Sequence, residues 1–344
     1  MNIVNQFFCQ DTIENYCIIN KLIKNQNIKK IDNNNYLNSL LEKLNSINIG
    51  EIDIIKENVD NINISKNMFM IDDIHNKIKK LDKKYFIKFD NVEINIYYND
   101  LLVDVNKIIL IYKWLHSIHN TQKQVFITIY LLPDKKKLND ELILNKNHVN
   151  SGSTRNREYI TIWRHEEVYK VLIHELIHLF SYDIDNTMRI GKIIKDKFNI
   201  EGNVIPNEAY TEIWTIILHS MFIAKILLSK TRLNNYYDLF KWILYNETSF
   251  SLYQTAKILK HFNGQINQRT SVFSYYIIKT SLLYNINNFI KTNTLLINEF
   301  SDENLFYDIV MNSLSNIKFI DEIDKIKDIS NNTMRMSLFQ FNLM

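Results

Sequence analysis

At Tyr85 the hydrophobic pattern of this 344-residue chain changes period. Residues 1 to about 80 read as short helical pieces with Asn/Lys-rich joints, for example at 36–44 and 72–81. From Tyr85 onward apolar residues alternate. Tyr85-Phe86-Ile87-Lys88-Phe89, then Asp90-Asn91, then residues 92–98 spell a hairpin. Asp100 stands where it can cap a long helix through His116, with Leu101, Val105, Ile108, Ile109 and Tyr112 on one side. Residues 124–131 form a further strand ended by Pro133, and a polar loop follows with Asn150-Ser151-Gly152-Ser153-Thr154. Residues 158–164 then read as another strand, running almost directly into a helix at about 166–181. Glu166 and Glu167 are expected in its first turn, where negative charge complements the helix dipole. Beyond Tyr182 the pattern is almost wholly helical, at 207–230, 235–262 and 270–290. The expectation is an α+β, predominantly helical fold in three regions: 1–80 of unknown role, 81–182, and 183–344.

The helix at 166–181 carries His174-Glu175-Leu176-Ile177-His178. On a helix, positions i and i+4 stand on one face about 6 Å apart. Two imidazoles so placed can grip one zinc ion, and the glutamate beside the first can take a proton from an attacking water. Hydrolytic zinc sites take a third protein ligand. The next acidic cluster on a helix is Asn207-Glu208-Ala209-Tyr210-Thr211-Glu212, with Pro206 marking the helix start. Glu208 and Glu212 share a face. One of them can bind the metal while the other accepts a hydrogen bond from the far nitrogen of a ligating histidine.

Other histidines read differently. His219 lies eleven residues beyond Glu208, about 16 Å along the helix, and reads as a core histidine. His165-Glu166 opens no second motif, because position 169 is tyrosine; it reads as the start of a helix.

Composition excludes several classes. A hydrophobic fraction of 46% with 12% aromatics rules out a mainly disordered chain. A net charge of +3 with both signs interspersed lacks the basic stripe of a nucleic-acid binder. The two cysteines, Cys9 and Cys17, cannot build a disulfide framework. No basic, then apolar, N-terminal segment is present, and the apolar run 213–228 contains His219 and Lys225, so neither a secretory signal nor a membrane span is expected. A cytoplasmic protein is the expectation.

The chain resembles the gluzincin branch of the zincin metallopeptidases, the class containing thermolysin. That family joins H-E-x-x-H to N-E-x-x-x-D on a following helix. The match runs through His174, Glu175, His178, Asn207 and Glu208, with Glu212 in place of the aspartate. The resemblance implies Zn²⁺ held by His174, His178 and Glu208, with Glu212 supporting a ligand. It also implies a small mixed sheet with an edge strand above the site, the active helix after that strand, and a helical lower half from 183 on. The strand before the metal helix is then the edge to which an extended peptide adds. The gap from His178 to Glu208 is longer than in thermolysin-like enzymes, so residues 182–206 must loop out and return. The G-x-M-E-N signature of the related aminopeptidases is absent, which favours endopeptidase action.

An oxyanion donor is also needed. In gluzincins it is a Tyr or His of the lower half; here the candidates are Tyr276, Tyr275 and His261, with Tyr276 placed first. The block from Ser151-Gly152-Ser153-Thr154 through Trp163-Arg164-His165-Glu166-Glu167 to His174 is similar to HExxH proteins of large DNA viruses. A viral chain would act in host cytoplasm or the virion. The expected function is zinc-dependent hydrolysis of a peptide or protein substrate with Glu175 as general base. The alternative is a catalytically silent zincin-fold binding or scaffold protein.

Overall fold

The alternating block folds as sheet and most of the remaining regular structure as helix, which makes the chain α+β and predominantly helical. The computed structural model describes residues 2–23, 26–64, 67–118, 122–184, 187–231, 235–292 and 303–342. In chain order the elements begin with α1 (Asn2–Phe7), α2 (Gln10–Ile23), α3 (Asn35–Ser46), β1 (Ile54–Asn58) and α4 (Asp72–Ile78). The hairpin β2 (Lys83–Phe89) and β3 (Val92–Tyr98) follows, then α5 (Val105–Ile118), β4 (Val125–Tyr130), α6 (Lys146–Val149), β5 (Gly152–Arg155), β6 (Tyr159–Ile162) and α7 (Val168–Leu179). Next come α8 (Met188–Lys197), α9 (Pro206–Lys230) and α10 (Tyr236–Phe262). A π-helical turn, Phe273–Ile278, leads into α11 (Lys279–Tyr284), and α12 (Ile286–Thr292), α13 (Glu303–Leu314) and α14 (Ile317–Asp324) complete the order.

Two compact units share these elements: a sheet unit of Ser46–Lys136 with Lys146–Ser181, and a helical unit of Met1–Asn45, Lys137–Asn145 and Tyr182–Asn342. The first eighty residues are divided between these two units. They hold helices of the helical unit, then β1 and α4 of the sheet unit, and the strand β1 replaces part of the expected run of helical pieces.

In the sheet unit the strand order is β1-β2-β3-β4-β6-β5, with β3–β4 and β4–β6 parallel and the other pairs antiparallel. The parallel pair β3–β4 needs a crossover, which α5 supplies. Period-2 alternation gives the sheet two faces. Register aligns Ile94 with Ile127, Ile127 with Ile160, and Ile160 with Thr154, all on the face carrying the fully buried Ile96, Ile129 and Ile162. Helix α7 packs on β5 and β6 and against α5. Each buried isoleucine or leucine there contributes about 1.5–3 kcal/mol relative to exposure. The second face is covered at one end by Met70, Ile74, Ile78 and Leu81, packed on Tyr130, Leu132 and Trp163.

Three expectations are corrected in this unit. Asp104, not Asp100, caps α5: its Oδ1 accepts from Asn106 N at 3.1 Å, because residues 101–104 stay non-helical. The edge strand is β5, which lies in the stretch expected to be loop, whereas β6 is flanked on both sides. Helix α7 starts only at Val168. Trp163 N donates to Ser151 O at 2.9 Å and His165 N to Leu132 O at 3.0 Å, which holds the chain extended past β6. Glu166 and Glu167 consequently precede the helix. Glu166 accepts Lys136 N at 2.7 Å, and Glu167, in left-handed backbone at φ 60°, pairs with the buried Lys136 ammonium.

In the helical unit α9 packs on α10 and on the π-helical turn. The C-terminal segment is threaded through this core, with Met334, Arg335, Ser337, Leu338 and Phe339 all buried. Glu247 of α10 anchors it by accepting from Ser337 Oγ (2.8 Å), Leu338 N (2.8 Å) and Phe339 N (3.2 Å). His219 meets Ser337 Oγ at 3.2 Å and is 3% exposed, so it is the core histidine its position suggested. The stretch between α7 and α9 is not a plain loop; it contains α8. Among the described residues α9 is long and apolar enough to cross a bilayer, but 83% of its most apolar window is buried in the fold. It is placed as a core helix.

Candidate metal centre

The sheet unit supplies a histidine pair and a glutamate from one helix. Val168, Leu172, Ile173, Leu176 and Ile177 are apolar and buried, which commits α7 to the core and leaves little rotational freedom for what lies between them. His174 and His178 stand one turn apart with Nε2 to Nε2 at 3.2 Å and rings at 4.9 Å in an edge-to-face arrangement. Two nitrogens about 2.05 Å from a tetrahedral zinc are about 3.3 Å apart. The pair therefore has the bite that a single cation needs.

Glu175 is 5% exposed, and its carboxylate is held from β5. Thr154 Oγ1 lies 2.8 Å from Glu175 Oε2 and 3.0 Å from Glu175 O, so one hydroxyl is aimed at both acceptors. Gly152 lies against the same side chain. A Cβ there would come 2.6 Å from Glu175 Oε1, 2.9 Å from Glu175 Cγ and 2.8 Å from Val171 Cγ1. Only glycine leaves room for Glu175 beneath the strand. Sequence reading singled out Ser151-Gly152-Ser153-Thr154 without assigning it this part; the one signal available was a glycine between hydroxyl residues shortly before the pentad. His165, at the approach to α7, meets Leu102 O through Nε2 at 3.2 Å, and burial lowers its pKa.

The helical unit supplies the acidic cluster. Pro206 opens α9, where a missing N–H costs nothing, and Asn207 N donates to Thr187 Oγ1 at 3.2 Å. Glu208 falls in the first turn, half-buried, and its Oε2 accepts from Tyr275 Oη at 3.0 Å. Glu212, one turn on, is fully buried. The π-helical turn carries both candidate tyrosines, which as consecutive helical residues leave it in different directions. Tyr275 reaches Glu208, whereas Tyr276 is fully buried and its hydroxyl donates to Met334 O at 2.5 Å. His261, near the end of α10, has Nε2 2.9 Å from Glu141 O. His174, His178 and Glu208 each offer one ligand atom of a kind that a metal ion takes.

Over 195 residues the chain is 29% identical to an uncharacterized protein of Acanthamoeba polyphaga mimivirus. The match covers 51% of this chain and 46% of that protein, so the chain spans about half the length of the relative it matches. The likeness to a protein of a large DNA virus accords with the expected similarity to viral proteins. No family model matches the chain. No solved structure matches it either.

Proposed function

We propose that this chain is a zinc-dependent peptidase that cleaves within extended peptides. The observation that carries the reading is the α7 arrangement: paired imidazoles 3.2 Å apart with Glu175 between them in sequence and fixed by Thr154. His174, His178 and Glu208 are the proposed ligands, each with one donor atom of the kind zinc takes. Zinc bound there would polarise the scissile carbonyl and acidify the attacking water.

The chain's own residues do the rest. Glu175 takes the water proton and passes it to the leaving amine. Thr154 holds one carboxylate oxygen, which keeps Glu175 in one rotamer through both transfers. Tyr275, whose hydroxyl is already directed at Glu208, is the proposed donor to the oxyanion. Tyr276 is left a structural part, because its hydroxyl serves Met334. A general base held this firmly has no use in a silent scaffold, which favours the enzyme over the binding protein.

Elemental analysis of the purified protein tests the metal half, with Glu208→Ala alongside. About one zinc ion per chain, much reduced in the variant, supports the ligand set. Zinc content indifferent to Glu208 removes it. Glu175→Gln tests the chemical half: retained zinc with peptide hydrolysis lowered by roughly 10²–10⁴-fold is expected. Unaltered hydrolysis would rule out the general-base role.

A further inference from the structure

The face of the sheet turned away from α7 carries a cavity of about 520 Å³, within the range of ligand sites. Strand register explains its shape. Ser153, Thr161 and Thr128 lie directly across from one another on β5, β6 and β4. Three small hydroxyl side chains in one row leave a trough running across the strands. With strands about 4.8 Å apart, it extends about 10 Å inward from the edge strand.

The next row, Arg155, Tyr159 and Phe126, is tall and forms one wall. The Tyr159 and Phe126 rings stack at 5.1 Å, and the Arg155 guanidinium lies 5.1 Å from the Tyr159 ring. Tyr130 stands on the other side of the row, and residues 67–70 lie over it. That cover is fastened at two points. Asn67 Nδ2 donates to Ser153 Oγ at 2.7 Å, and Lys146 Nζ donates to Met68 O and Met70 O at 2.7 and 2.9 Å.

The row ends at Ser153 of β5, the strand whose other face holds Glu175. Ser151 O takes the Trp163 amide and Arg155 O the Glu158 amide, so the odd-numbered residues of β5 bond inward. The backbone N–H and C=O of Gly152 and Thr154 point the other way, along the sheet edge. A peptide adding there as a strand directs alternate side chains to opposite faces. One set goes toward the α7 face, and the other goes to the end of the trough beside Ser153.

We propose that this trough selects the substrate: it takes a long aromatic side chain with a polar tip, tyrosine or tryptophan, from an extended peptide paired with β5. The inference rests on the peptidase reading for its occupant. The tall wall offers a ring to stack on, the hydroxyl row offers partners to a polar tip, and Arg155 on β5 disfavours lysine and arginine. Ser153, at the β5 end, is small, and a polar-tipped side chain entering over it takes the place of the Asn67 amide on its hydroxyl.

The test uses binding rather than turnover, on the full chain carrying Glu175→Gln. Fluorescein-labelled decapeptides, randomised except for one position fixed as Tyr, Trp, Ala or Lys, are titrated and read by anisotropy. Tyrosine and tryptophan pools are expected to bind about 10-fold more tightly than alanine pools, with lysine pools weakest. Thr161→Trp, which fills the trough, should remove the aromatic preference. Arg155→Glu alters only an exposed residue, so it keeps the test decisive if the tryptophan variant fails to fold; it should lift the lysine pools to the alanine level or above. Preference that ignores both substitutions, equal binding of all pools, or no binding of any pool overturns the proposal. Trough-dependent preference in a wild-type chain that hydrolyses nothing supports the trough and removes the peptidase reading instead.

Discussion

Alanine at position 152 puts a methyl group where the structure has no space for one. Its three nearest neighbours would lie 2.6, 2.8 and 2.9 Å away, at Glu175 Oε1, Val171 Cγ1 and Glu175 Cγ. Unstrained carbon contacts sit near 3.5–4.0 Å, so each carbon pair is about 0.7 Å too close. The carboxylate oxygen can swing aside, because it is the end of a flexible chain. Val171 Cγ1 and Glu175 Cγ cannot both yield, since they sit one turn apart on the buried face of α7. Either β5 lifts off α7 or Glu175 is pushed out of place by about 0.7–1 Å. Overpacking of this kind costs about 1–3 kcal/mol of stability. Misplacing a catalytic group by about 1 Å costs about 10²-fold in rate, or about 2.7 kcal/mol of activation free energy.

Gly152→Ala should therefore melt at lower temperature and turn over about 100-fold more slowly, with zinc content unchanged because neither histidine is among the contacts. Adding Val171→Ala should recover part of the stability but not the rate, because the contacts on Glu175 remain. Wild-type rate and stability in Gly152→Ala would refute the steric argument. Loss of zinc in step with rate would refute the claim that the damage passes through Glu175.

Thr154→Val keeps the shape of the side chain and deletes its donor to Glu175. Turnover should fall about 10-fold at constant zinc content and return in Thr154→Ser, whereas a purely structural role would show as a lower melting temperature with normal turnover. The two tyrosines should separate cleanly. Tyr276→Phe leaves the Met334 carbonyl without its donor and should cost about 1–3 kcal/mol in denaturant unfolding at normal turnover. Tyr275→Phe should leave stability almost unchanged and lower kcat by about 10²-fold, and the reverse pattern would overturn the assignment. Burial pushes Lys257 from 10.5 down to about 7, so between those values the unfolded chain holds a proton that the folded chain has released. Stability must then rise with pH from about 7 toward 10 through this residue, and Lys257→Met should flatten that slope in denaturant titrations at pH 7 to 9.

Much of the frame was legible from the residues. Alternation around Asp90-Asn91 marked the β2–β3 hairpin, and Pro206 marked the start of α9. Asp104 rather than Asp100 caps α5 because the choice turned on where residues 101–104 pack, which no local pattern states. The strand at 158–164 was expected at the edge and β6 is interior. Strand order in a sheet is a tertiary property, and the four residues of β5 were too short and too polar to declare themselves. Tyr275 and Tyr276 are adjacent and chemically identical, so only their tertiary partners, Glu208 for one and the Met334 carbonyl for the other, tell them apart.

By itself the sequence determined the spacing of His174 and His178, because a helix translates four residues into one turn whatever surrounds it. It determined the place of Glu208 in a first turn because Pro206, two residues before it, marks a helix start. What only the tertiary structure decided is the setting of Glu175: Gly152 and Thr154 reach it from a strand more than twenty residues earlier, through packing and one hydroxyl. Backbone hydrogen bonds within a helix close over four residues and can be read from spacing. Contacts between a strand and a helix depend on which surfaces the rest of the chain leaves to meet, and no spacing records that.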